Sequence, residues 1–131
     1  MANQSLRLFF FAALAPLAWA APTVSGVANA ADFTASVAPG SLASLFGAGL
    51  AAGTGAPSSL PIPTTLNGVT VNVNNRPAPI TYLSPTQINF QVPAATAPGS
   101  ATITVTYNSQ TSNAFAFTVA ATAPGIFLTV N

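Results

Sequence analysis

Cysteine, histidine, lysine and glutamate are all missing from this chain, and its 131 residues carry two basic side chains and one acidic one. Past residue 20 only Arg76 and Asp32 remain, and their charges cancel. Each gap excludes a class of chemistry. A Ser or Thr nucleophile needs a neighbouring base to take its proton, and without His or Lys no triad or dyad can be assembled. Glycoside cleavage by paired carboxylates fails on a single carboxylate side chain. Zinc and copper sites lack His and Cys ligands, and calcium would have to bind Asp32 plus neutral oxygens. Gly47, Gly49 and Gly53 do not have the spacing, the following helix or the downstream acid of a nucleotide-binding loop. Tyr82 and Tyr107 read as core or rim residues. The chain is therefore expected to be no enzyme, with no catalytic, cofactor-binding or metal-binding residues.

The missing charge also limits the partners. Nucleic acid is excluded, because its binding is dominated by Lys and Arg contacts to phosphate, and so is electrostatic attraction to an anionic membrane. Without cysteine no disulfide can staple the fold, so it needs a hydrophobic core of its own. Neutrality removes the self-repulsion that keeps most proteins apart.

The N-terminus has the parts of a secretory signal: Arg7 in a positive first region, an apolar run over residues 8–17, and the small-x-small pattern Ala18-Trp19-Ala20. The run is short for a bilayer span and contains Pro16, so cleavage after Ala20 or Ala21 is expected rather than an uncleaved anchor. The only tryptophan, Trp19, would leave with the signal. No later segment is a long uninterrupted apolar run, so the mature chain, residues 21–131, reads as one domain without a transmembrane span, secreted or held at the cell surface.

Period-two alternation marks half-buried strands. Val69, Val71 and Val73 alternate with Thr70 and Asn72, and Ile88, Phe90 and Val92 with Gln87, Asn89 and Gln91. Ala101, Ile103, Val105 and Tyr107 alternate with threonines, and Phe115, Phe117 and Val119 with Ala116 and Thr118. Less regular strands are expected over 24–27, 41–46, 80–83 and 126–130. Turn formers lie between them, among them Asn67-Gly68, Asn74-Asn75 and Asn108-Ser109. Short strands at about ten-residue spacing predict an all-β antiparallel sandwich of about seven strands. Most aromatic residues fall on the buried parity of these strands, which leaves no evident platform for sugar stacking. Residues 47–63, rich in Gly, Ala, Ser and Pro, predict a long exposed loop.

Several stretches together resemble a known family. They are residues 37–47 (VAPGSLASLFG), Leu60-Pro61 through to Val71, residues 84–93 (SPTQINFQVP) and residues 123–127 (APGIF). They look like an uncharacterised immunoglobulin-like domain, similar to the IPT/TIG branch, that occurs in many secreted acidobacterial proteins. The resemblance implies a non-catalytic β-sandwich over nearly all of the mature chain. It assigns no binding residues.

Two functions fit. In the first, the domain is an exported structural or adhesive module that contacts other surface proteins or copies of itself, with possible growth into an extracellular polymer. Uncharged strand edges are templates for pairing, and the terminal strand, with Ile126, Phe127, Leu128 and Val130, is the candidate for addition to a neighbour. Prolines Pro61, Pro63, Pro77 and Pro79 would block some edges. Arg76 and Asp32 are candidate polar contacts between copies. In the second, loops at one end of the sandwich, residues 47–63 among them, bind polysaccharide.

Overall fold

A computed structural model of the chain describes residues 20–122. The leader up to Trp19 and the terminal segment with Ile126, Phe127, Leu128 and Val130 lie outside the described residues. Within them the fold is all β, with no helix, in ten strands: β1 (Thr23–Asn29), β2 (Leu42–Ala48), β3 (Thr65–Leu66), β4 (Val69–Val73), β5 (Arg76–Ala78), β6 (Ile80–Leu83), β7 (Gln87–Gln91), β8 (Gly99–Tyr107), β9 (Gln110–Thr111) and β10 (Phe115–Val119). The expected strands are present wherever the residues are described. The unexpected ones, β3, β5 and β9, are short and sit across two-residue turns from longer partners.

Those turns are Asn67-Gly68, Asn74-Asn75 and Asn108-Ser109, with φ of 49° and 77°, 49° and 64°, and 53° and 60°. Paired positive φ values match the right-handed twist of a tight hairpin, and Asn and Gly reach that region at least cost.

One sheet has four strands in the order β1-β2-β7-β6. The other has six, running β10-β8-β4-β3, with β5 beside β4 and β9 beside β8. Every pairing within the sheets is antiparallel. The chain changes sheet at Pro79. Ala78 pairs Val71 in one sheet and Ile80 pairs Phe90 in the other, so β5 and β6 form one continuous crossing edge. Between the sheets lies a hydrophobic core that includes Leu45, Val69, Val71, Val73, Ile80, Leu83, Ile88, Phe90, Ile103 and Val105, all at most 1% exposed.

Two expectations need correction. Residues 47–63 are not simply an exposed loop. Gly47 and Ala48 complete β2, and Leu50 and Ala51 are buried in the core. Gly55 and Leu83 exchange backbone hydrogen bonds at 3.0 and 2.9 Å, and Ile80 N–H donates to the Pro63 carbonyl at 2.9 Å. The segment therefore runs beside β6 along the flank of the sandwich, not at its end, and covers that sheet edge.

The aromatic residues follow the expected parity in part. Phe90 is fully buried, and Tyr107, Phe115 and Phe117 are half-buried against the core. Phe33 is 64% exposed and Tyr82 36% exposed, while Phe46 is half-buried. Local geometry explains these three. Phe33 lies in the β1–β2 connection. In β2 the core parity belongs to Ala43 and Leu45, which leaves Phe46 facing out. A bulge between Ile80 and Tyr82 turns both Ile80 and Leu83 inward and Tyr82 outward.

Candidate functional site

The outer face of the four-stranded sheet gathers the most distinctive side chains. With Ala43, Leu45, Ile88 and Phe90 facing the core, alternation puts Leu42, Ser44 and Phe46 of β2 and Gln87, Asn89 and Gln91 of β7 on the outside. The register sets Ser44 opposite Asn89, Phe46 opposite Gln87 and Leu42 opposite Gln91, while Tyr82 lies across from Asn89 on the other flank. Ser44 Oγ donates to Asn89 Oδ1 at 2.8 Å, and Gln87 Nε2 donates to the same oxygen at 2.9 Å. Gln91 Nε2 donates to the Gly40 carbonyl at 3.1 Å. The turn that leads into β7 is set by Ser84, whose Oγ accepts the Thr86 and Gln87 N–H groups at 3.3 and 3.0 Å.

Phe33 joins the face from the β1–β2 connection. Its ring centroid is 6.5 Å from that of Phe46, with the planes tilted by 44°. Its φ is 59°, a region that costs a residue with a Cβ about 1–2 kcal/mol. Hydrogen bonds hold it there: Phe33 N–H donates to the Asn29 carbonyl at 2.8 Å, and Asn29 N–H to the Thr34 carbonyl at 2.7 Å. The Asn29 side chain is buried, accepting from Ala31 N–H and donating to the Ser36 carbonyl. The connection thus presents an aromatic ring to solvent from a fixed backbone.

Asp32 and Arg76 belong to different parts of the molecule. Asp32 is exposed in the β1–β2 connection, where Oδ1 accepts the Thr34 N–H at 3.0 Å and the Thr34 hydroxyl at 2.9 Å. The backbone N–H of Thr34, and then its hydroxyl, hold the carboxyl below its ordinary value. Arg76 is exposed at the start of β5, across from Val73 in the six-stranded sheet. Among the described residues no cluster of three His, Cys, Asp or Glu could hold a metal ion, and no helix is long and apolar enough to cross a membrane.

A separate open concavity of about 420 Å³ lies along the flank, between residues 56–62 and Thr81. It offers the hydroxyls of Ser58, Ser59 and Thr81 beside Leu60 and Ile62, but no aromatic ring. The outer-face set was only partly readable in the sequence. The off-core parity of Gln87 and Asn89 is visible there. The pairing of Asn89 with Ser44, 45 residues earlier, and the bulge that turns Tyr82 outward are not.

Two antiparallel sheets packed over one hydrophobic core define an immunoglobulin-like β-sandwich module. Residues 33–119 match the IPT/TIG domain, and the chain belongs to the IPT/TIG family. Among solved structures it is similar to the gamma-CGTase of alkalophilic Bacillus clarkii, with a TM-score of 0.54 and 21% identity, over 78% of this chain and 12% of that one. It is also similar to an auxiliary nutrient binding protein of Bacteroides thetaiotaomicron VPI-5482, with a TM-score of 0.53 and 11% identity, over 77% of this chain and 21% of that one. The chain spans a small part of either protein, and the likeness is one of fold. No curated protein matches the sequence.

Proposed function

We propose that the protein is an exported, non-catalytic module that acts through protein–protein contacts and assembles with copies of itself by strand addition. The observation that carries this reading is the state of the sheet edges. The β6 edge is covered by the segment from Gly55 to Pro63, and Asn113 binds both backbone groups of Val24 on β1. Pro77 interrupts β5. Among the described residues the outer edge of β10 is met by backbone only at its end, where Val37 bridges Val119 and the Ala120 N–H donates to the Val37 carbonyl.

By alternation, the outward backbone of Ala120 puts the N–H of Thr118 and both backbone groups of Ala116 on that same side, while the Thr118 carbonyl faces Val37 in the parallel bridge. Unpaired edges of this kind accept an added strand. The terminal segment is the proposed donor: Ile126, Leu128 and Val130 share one parity, with Phe127 on the other. Arg76 and Asp32, both exposed, are the proposed polar contacts between copies. The near-absence of charge favours association over repulsion.

Light scattering and negative-stain microscopy over rising concentration test the proposal. The full mature chain should form a defined oligomer or filaments, and a chain lacking residues 125–131 should not. Ala116→Lys, which places a charge on the β10 edge without touching the core, should also abolish assembly while leaving the far-UV spectrum unchanged. A monodisperse monomer at every concentration would end the self-assembly reading. Assembly that survives both changes would end strand addition.

A further inference from the structure

We propose that the outer face of the four-stranded sheet binds a neutral glycan chain, at a site separate from the β10 edge, which belongs to the other sheet. The floor of the site is the Ser44–Asn89–Gln87 set. Asn89 Oδ1 takes hydrogen bonds from both Ser44 Oγ and Gln87 Nε2, and this turns Asn89 Nδ2 away from them. That amide nitrogen, like Gln87 Oε1, has no hydrogen-bond partner among the described residues. Ser44, 1% exposed, anchors the arrangement from below. The floor therefore presents a fixed donor beside a fixed acceptor. Two adjacent sugar hydroxyls suit such a pair, since one can accept from the amide nitrogen while the other donates to the amide oxygen.

Aromatic rings stand on both sides of this floor. Phe46 lies across from Gln87 on β2, and Tyr82 across from Asn89 on β6. Two strand spacings and a two-residue step along β7 put their positions about 10–12 Å apart. Phe33 extends the Phe46 side with a ring that the backbone already holds in place. A pyranose has an apolar C–H face for stacking and a rim of hydroxyls, so a run of linked rings can meet the aromatic flanks and the amide floor together. Little side-chain ordering is then left to oppose binding.

Charge decides the class of glycan. The strand residues of this face carry no ionised group, and the neighbouring charge is the Asp32 carboxylate beside Phe33. That carboxylate opposes uronic or sulfated chains and leaves a neutral one unaffected. A second copy pressed on the same face would bury Asn89 Nδ2 and Gln87 Oε1 and would have to match each of them. A hydroxyl-rich chain matches them at many registers.

The test applies the full mature chain to an array of neutral and acidic polysaccharides. Calorimetry with cello-, xylo-, malto- and manno-oligosaccharides follows. Binding is expected to at least one neutral series and to none of the acidic ones. Tyr82→Ala and Phe33→Gly should each weaken it by about tenfold or more. Both variants should keep the wild-type far-UV spectrum, since Tyr82 lies outside the core and glycine suits the positive φ at position 33. The proposal is overturned if no neutral glycan binds, if acidic ones bind as well, or if binding survives both substitutions. It is equally overturned if the two substitutions alter only the sedimentation of the chain, which would make the face a contact between copies.

Discussion

The side-chain amide of Asn113 closes a hydrogen-bonded ring with the main chain of Val24: Oδ1 accepts the Val24 N–H at 2.9 Å and Nδ2 donates to the Val24 carbonyl at 3.1 Å. The two residues are 89 positions apart: Val24 lies in the four-stranded sheet, and Asn113 in the link between two strands of the other. Asn113, between β9 and β10, thus acts as a one-residue strand on the edge of β1. It ties the sheets together and occupies groups that would otherwise accept a neighbour's strand.

Asn113→Ala should therefore have two effects. Loss of both hydrogen bonds should cost about 1–2 kcal/mol, read as a lower midpoint in urea. The freed Val24 edge should also raise concentration-dependent association, read by sedimentation velocity. A variant with unchanged midpoint and unchanged sedimentation would show that the ring does neither.

Two glycines on the same hairpin should respond in opposite directions to alanine. A Cβ at Gly47 would run into the Thr23 carbonyl on β1, so the strands must move apart. Gly47→Ala should cost about 1–3 kcal/mol, as overpacking does elsewhere. A Cβ at Gly26 meets nothing nearer than Phe46 Cδ2 at 4.0 Å. Gly26→Ala should be neutral or stabilise the strand by about 0.5–1 kcal/mol. Urea unfolding of the pair checks this, and equal losses at both positions would refute the steric account of Gly47.

These cases show what the sequence could reveal. Alternation placed Val69, Val71, Val73, Ile88, Phe90, Ile103 and Val105 in the core, because a strand's period is local and needs no knowledge of its partner. The Asn-rich turns were visible for the same reason, since positive φ is a property of the turn residues themselves. The strands β3, β5 and β9 could have been read from those turns, as a two-residue hairpin requires a partner on each side. What remained hidden depends on distant pairing. Nothing near Tyr82 announces the bulge that turns it outward, nothing near Asn113 points to Val24, and Leu50 looked like loop until β2 and Pro85 fixed its place. The IPT/TIG resemblance pointed to the fold, and the off-core parity of Gln87 and Asn89 was local, but nothing local joined them to Ser44, Phe46 and Tyr82 as one face.

The redistribution of aromatics makes a further prediction. Phe90, fully buried between the sheets, should lose about 3–5 kcal/mol on replacement by alanine, because its ring leaves a cavity that β2 and β6 cannot fill. Phe117→Ala removes the same ring from a half-buried site on β10 and should cost clearly less. Comparison of the two urea midpoints checks the assignment. A larger loss at Phe117 than at Phe90 would mean that the core is centred on the six-stranded sheet's margin instead.

The scarcity of titratable groups predicts an unusually flat dependence of stability on pH. Asp32 supplies the chain's only carboxylate side chain, and His, Lys and Glu are absent. Its folded carboxyl titrates below the ordinary range because the Thr34 N–H and hydroxyl bind the charged form. A depressed carboxylate pKa contributes stability that is present above the unfolded-state value and is lost as pH falls through the folded-state value. The urea midpoint should thus stay level from about pH 8 down to about pH 5 and decline slightly below about pH 4. Full exposure of Asp32 keeps that decline small. In Asp32→Asn the amide oxygen can still accept from Thr34 but does not titrate, so the decline should shrink. An acid loss of equal size in both proteins would show that the Asp32–Thr34 turn is not its source.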